Sequence, residues 1–187
     1  MLKDLIIKNR SYRRFYSDYK IKRNIIEELV DMARLSPSAS NLQPLKYYIS
    51  CNTDTNNKIF PCLGWAGYLQ NWPGPADDEQ PSAYIIILGD QNINKSIDCD
   101  HGIAAQSILL GAAEKGLGGC IIASIDRELL RKKLNIPVNL DILLTIALGK
   151  PRETVKIEPL TNDDIKYWRD TEGVHHVPKR SLQEIIL

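Results

Sequence analysis

The stretch from His101 to Lys115, HGIAAQSILLGAAEK, limits the fold of this chain more than any other. Small and apolar residues fall on nearly every side of the helix it predicts. Such a helix cannot lie on a watery surface, so it must be buried or packed against another chain. Asp100 stands where a helix N-cap belongs, and Gly116 supplies the residue that most often ends one.

Around it, helices and strands alternate along the chain. Leu2, Leu5 and Ile6 predict a short first helix, followed by a polar, basic loop from Asn9 to Lys20. Ile25, Ile26, Leu29, Val30 and Ala33 repeat at helical spacing from about Lys22 to Leu35. Ser36-Pro37 stops that helix, because proline disfavours helical backbone at the residue before it. Leu45, Tyr47, Ile49 and Cys51 alternate with polar or larger neighbours, as in a strand with one buried face. Ala83 to Leu88 is apolar throughout and predicts a strand buried on both faces. Leu117 to Ile122 and Leu140 to Leu148 predict two more strands. Between these last two, Asp126 caps a helix carrying Leu129, Leu130 and Leu134.

The stretch from Asn52 to Ser82 shows no period. The tail after Lys150 is polar until Leu182, Ile185, Ile186 and Leu187. The few strands and their long connections favour an α+β fold with an antiparallel or mixed sheet. No repeat or linker divides residues 1–187, so a single domain is expected.

Composition narrows the function. Among 187 residues, 43% are apolar and the net charge is only +1, against a general nucleic-acid binder that must neutralise many phosphates. The four cysteines are irregularly spaced and include no CxxC pair, consistent with reduced thiols in the cytoplasm. No run reaches membrane-span length, and the first residues lack a signal-peptide apolar core.

Three segments are candidate sites. Arg10-Ser11-Tyr12-Arg13-Arg14-Phe15 places guanidinium groups and a hydroxyl within reach of one phosphate, or forms a solvated basic loop. Ser38-Ala39-Ser40-Asn41-Leu42-Gln43-Pro44 combines small residues with amides that both donate and accept, suiting the polar edge of a flat heterocycle, or is a plain turn. Gly116-Leu117-Gly118-Gly119 ends a helix and precedes a strand, the reverse of a dinucleotide fingerprint. His101, His175 and His176 do not combine with cysteines or carboxylates into a metal set. The aspartates at 98, 100, 163 and 164 are expected to be caps or surface charges. No catalytic side-chain cluster emerges.

Taken in order, these segments resemble the nitroreductase family. Further points of resemblance are Gly102-Ile103-Ala104-Ala105-Gln106, Ala147-Leu148-Gly149-Lys150-Pro151 and Val177-Pro178-Lys179-Arg180-Ser181-Leu182. The resemblance implies an FMN-dependent, intertwined homodimer with a central mixed or antiparallel sheet flanked by helices. It implies that Arg10, Ser11, Arg13 and Arg180 meet the flavin phosphate. It also implies that Pro37, Ser38, Ala39, Asn41 and Gln43, from the partner subunit, line the ribityl chain and ring. Ile122, Ala123 and Ser124 would approach the reactive edge.

The chemistry implied is a ping-pong cycle. NADH or NADPH gives hydride to flavin N5, and a small acceptor such as a nitroaromatic or quinone then takes the electrons, with no catalytic side chain required. Two positions depart from the family pattern: Asn9 replaces a second arginine, and Leu45 replaces a tryptophan after Gln43-Pro44. Alternatives are a related flavin enzyme with another reaction, such as dehalogenation or flavin breakdown, and a flavin-binding module of low turnover.

Overall fold

A computed structural model describes all residues from Met1 to Leu187. Its centre is a four-stranded antiparallel sheet of β1 (Leu45–Ser50), β2 (Ala83–Asp90), β3 (Gly118–Ile122) and β4 (Leu140–Gly149), in the order β1-β2-β4-β3. β2 lies inside the sheet, and Ala83 to Leu88 are buried on both faces. Their unbroken apolar run follows from that position.

Successive side chains of β2 serve two separate cores. Ile85 and Ile87 join Ile146 and Leu148 under α2 (Arg23–Arg34) and α4 (Asp100–Glu114). Tyr84, Ile86 and Leu88 pack on the other face with Ile59, at the end of α3 (Thr53–Ile59), and Leu130 of α5 (Arg127–Leu134). The result is a sheet between two helical layers.

α4 meets the requirement set by its sequence mainly within its own chain. Ala104, Ala105, Ile108, Leu109 and Ala112 are buried beside Ile26, Leu29 and Ala33 of α2. Gly111 permits the close approach, since a Cβ there would run into the Met32 sulfur. Gly102 and Gln106 remain exposed along one edge. Gly116, at φ +69°, ends the helix as expected.

Three expectations change. Asp100 is not the cap of α4: Cys99 holds that position, and Asp100 is the first helical residue with its carboxylate turned to another loop. The aperiodic Asn52–Ser82 stretch contains α3, capped by the Asn52 side chain accepting from the Thr55 N–H at 2.8 Å. The polar tail forms a second sheet of β5 (Val155–Pro159), β6 (Trp168–Arg169) and β7 (His175–Lys179), with β5 parallel to β7 and β6 antiparallel to it. The chain also forms α1 (Leu2–Lys8) and α6 (Leu182–Ile185), both without buried residues. No helix is long and apolar enough to cross a membrane.

Candidate functional site

The basic loop lies along β3. Ser11 bridges to Gly119, and the Tyr12 N–H donates to the Gly119 carbonyl at 3.0 Å. Two glycines make this possible. A Cβ on Gly118 would overlap the Tyr12 ring and lie 2.7 Å from Pro151, while one on Gly119 would stand 2.6 Å from the Ala147 carbonyl. The glycine run therefore seats the loop as well as ending α4. Phe15, fully buried under Gly149, anchors its far end.

A buried carboxylate holds the middle of the loop. Glu153, whose side chain is 1% exposed, accepts from the backbone N–H of both Arg13 and Arg14 through Oε1. Its Oε2 accepts from Arg169 Nη2 at 2.8 Å. Because Arg169 belongs to β6, Glu153 ties the loop to the C-terminal sheet.

Between loop, α4 and that sheet is a cavity of about 270 Å³. Arg10, Ser11, Arg13, Gln106, Ile121, Tyr167, His175 and Lys179 are among its lining residues. Three of them are cations, and no carboxylate lines it. Elsewhere, Arg14, Arg23, Arg34, Arg152, Arg169 and Arg180 each pair with a carboxylate. Arg10 and Arg13 do not, nor do Arg127 and Arg131, whose guanidinium groups donate to backbone carbonyls outside this cavity. Arg10 donates to the Ile6 carbonyl at 2.8 Å, and its Nε is buried with no partner. Arg13 lies 4.8 Å from the centre of the Tyr167 ring, with Nη1 3.2 Å from His175 Nε2.

Burial and the neighbouring Arg13 and Arg169 charges lower the His175 pKa to about 4, so the ring is neutral at pH 7 and accepts from Arg13. The next residue behaves oppositely. His176 faces Glu158 at 2.7 Å and Asp170 at 3.0 Å and stacks on Trp168. Hydrogen bonds to Asp170 and then Glu158 raise its pKa. Burial pushes the Cys120 thiol up, leaving it protonated beneath the loop.

The second segment lies elsewhere. Pro37, Ser38 and Gln43 line a separate cavity of about 160 Å³ with Leu45, Tyr47, Asp100 and Ala104. Pro37, Ala39, Asn41 and Gln43 are exposed. Ser40, Asn41 and Gln43 have φ values of 50°, 55° and 53°. A non-glycine residue in this left-handed region costs of order 1–3 kcal/mol, so something must hold the turn in shape. Burial, with the Asp100 charge second, moves the Tyr47 phenol to about 12.

The structure thus brings Arg10, Ser11 and Arg13 together and separates them, within one chain, from Pro37, Ser38, Ala39, Asn41 and Gln43. Arg180 does not line the basic cavity; it pairs with Asp163 at 2.9 Å, and Lys179 is the C-terminal cation there. Ile122 is buried in the core, leaving Ile121 at the cavity wall. Ala123 and Ser124 are exposed at the end of β3, where their carbonyls accept from Arg127 and the Gly64 N–H. His175 and Lys179, at the two ends of β7, and Tyr167, just before β6, join this cavity without any local sequence signal that marks them as site residues. Asp100, in a position that predicts a cap or a surface charge, is 4% exposed.

This architecture is a nitroreductase-type α+β fold, and the chain belongs to the Nitroreductase family, whose model matches residues 6–66 and 75–150. A relative from Archaeoglobus fulgidus, provisionally named an NADH dehydrogenase/NAD(P)H nitroreductase, is 29% identical, with 79% of this chain and 84% of that protein covered. The crystal structure of a nitroreductase family protein from Streptococcus pneumoniae superposes with a TM-score of 0.75 at 16% identity, covering 100% of this chain and 99% of that one. An FMN-dependent nitroreductase from Clostridium difficile gives a TM-score of 0.63 at 20% identity, covering 85% and 91%.

Proposed function

We propose that this chain is an FMN-dependent NAD(P)H oxidoreductase of the cytoplasm, acting as a homodimer of single-domain subunits on small acceptors such as nitroaromatics or quinones. The observation that carries the reading is the basic cavity: three cations, a partnerless buried Arg10 Nε and no carboxylate. Arg10, Ser11 and Arg13 are the groups that would hold the FMN phosphate, with Lys179 and, after release from Asp163, Arg180 adding charge. Charge-assisted contacts of this kind are the strong ones in phosphate recognition. The names of the Archaeoglobus and Clostridium proteins support the donor and the cofactor, respectively.

Pro37, Ser38, Ala39, Asn41 and Gln43 would face the ribityl chain and ring from the partner subunit. Their distance from the phosphate cavity within one chain fits a site completed by two subunits. Exposed Leu2, Ile6, Leu182, Ile185 and Ile186 supply apolar surface for that association. Ile122, Ala123 and Ser124 would form the strand end beside the ring. The four free cysteines fit a reducing compartment.

When bound, FMN supplies hydride acceptance and release at N5. The protein's own task is to bind and orient. Neutral His175 keeps Arg13 directed along the cavity without adding a titrating charge near pH 7.

The test is anaerobic mixing of the FMN-loaded protein with NADH or NADPH. Bleaching of the visible flavin bands, recovery on adding a quinone or nitroaromatic, and parallel initial-rate plots are expected. Bound flavin that no nicotinamide reduces would make the protein a carrier instead of an oxidoreductase.

A further inference from the structure

The exposed Ser38–Gln43 turn is held from below by one residue. Asp100 is buried at the first turn of α4, and no cation pairs with it. Its charge is met by the helix N-terminus and by two donors. Asp100 Oδ2 accepts from the Ser38 hydroxyl at 2.6 Å, and Oδ1 accepts from the Ala39 N–H at 3.0 Å. Ser38 Oγ in turn accepts from the Gln43 N–H at 2.9 Å. The relay spans both ends of a turn whose Ser40, Asn41 and Gln43 all have left-handed backbone.

We infer that Asp100 is a positioning residue that fixes this turn in its flavin-facing shape, an assignment that rests on the FMN reading above. The direction of each hydrogen bond explains why a carboxylate is needed. The Ser38 hydroxyl already receives the Gln43 N–H, so its own proton needs an acceptor, and so does the Ala39 N–H. A carboxylate offers two acceptors. An asparagine offers one acceptor and one donor group: with its oxygen on the Ala39 N–H, its NH₂ can only donate to Ser38 Oγ and leaves the Ser38 proton without an acceptor, and in the flipped rotamer the Ala39 bond is lost.

The location separates this role from phosphate binding. Asp100 and Ser38 line the smaller cavity, and neither lines the one that contains Arg10 and Arg13. Loss of Asp100 therefore weakens recognition of what FMN and riboflavin share, whereas loss of Arg10 weakens only what the phosphate adds.

The experiment titrates FMN and riboflavin, by quenching of flavin fluorescence, into the full-length apoprotein and its Asp100→Asn, Asp100→Ala and Ser38→Ala variants. Each variant is expected to weaken both ligands by the same factor, about tenfold for Asp100→Asn and more for Asp100→Ala. The Ser38→Ala, Asp100→Ala double variant is expected to be no weaker than Asp100→Ala alone, because both act through one relay. Hydrogen exchange in the apoprotein is expected to speed up at the Ala39 and Gln43 amides in Asp100→Asn. If Asp100→Ala does not fold, Asp100→Asn and Ser38→Ala decide. Unchanged affinity for both flavins, or a loss confined to FMN, overturns the assignment while leaving the proposed function standing. Wild-type protein that takes neither flavin overturns the FMN reading itself.

Discussion

Replacing Glu153 by alanine removes three hydrogen bonds at once and leaves a guanidinium with no ionic partner. The carboxylate accepts from the Arg13 and Arg14 amides and from Arg169 at 2.8 Å, and is 1% exposed. Arg169 is itself only 15% exposed, although it also lies over the Trp72 ring at 4.9 Å. Breaking a buried pair by deleting one partner typically costs roughly 3–5 kcal/mol, because the remaining charge is stranded. For a chain of this length, about 2–4 °C per kcal/mol translates that loss into a melting point lower by roughly 6–20 °C. Glu153→Gln is expected to lose about half as much. Its carbonyl still accepts both amides, but its NH₂ group meets the Arg169 donor. Thermal unfolding of the apoproteins reads the effect, at matched concentration because the proposed homodimer would make the melting point depend on it. FMN affinity is expected to fall in parallel, because the backbone carrying Arg13 is released. An alanine variant melting within about 2 °C of wild type would refute the assignment of Glu153 as the clamp between the basic loop and the C-terminal sheet.

Arg10→Ala and Arg13→Ala are each expected to reduce FMN affinity roughly 10- to 100-fold and leave riboflavin affinity nearly unchanged, as charge-assisted bonds of about 1.5–3 kcal/mol imply; equal losses for both ligands in a fluorescence titration would count against the phosphate cavity. Gly118→Val drives a side chain into Tyr12 and Pro151, so about 1–3 kcal/mol of stability should disappear on chemical denaturation, together with FMN binding. The adjacent histidines predict opposite pH effects. His176 has a raised pKa, so its contribution is complete below its unfolded value near 6.5 and lost as pH rises through the higher folded value. His175, lowered to about 4, makes the fold less stable as pH falls from about 6.5 toward 4, because the unfolded ring takes up a proton that the buried one resists. Melting curves across pH should therefore show His176→Gln flattening the alkaline side and His175→Gln flattening the acid side.

Much of this was legible where periodicity or chain chemistry is strong. The apolar run at Ala83–Leu88 marks the doubly buried β2, and the small residues of α4 announce the tight packing against α2. Asp126 caps α5, accepting from the Leu129 N–H at 3.0 Å, as its place in the sequence predicts. The second sheet was not legible. β5 and β7 pair in parallel across the residues between them; β5 alternates only over Val155-Lys156-Ile157-Glu158 and β7, His175-His176-Val177-Pro178-Lys179, does not, too short a signal to mark a sheet. Arg10, Ser11 and Arg13 could be found as a cluster because they are close in sequence. Tyr167, His175 and Lys179 reach the same cavity only through tertiary pairing. Asp100 departs from its expected role for a simpler reason. An acidic residue before a helix is usually a cap, and nothing local reveals that this one reaches back to Ser38.

The central claim is that the cavity at Arg10 and Arg13 receives the phosphate of FMN. An absorption spectrum of freshly purified protein, followed by denaturation and identification of the released chromophore, tests it most directly. The two visible bands of a bound flavin and release of FMN at one equivalent per chain are expected. A colourless protein that also fails to take up added FMN would contradict it, and the basic loop would then be an ordinary charged surface.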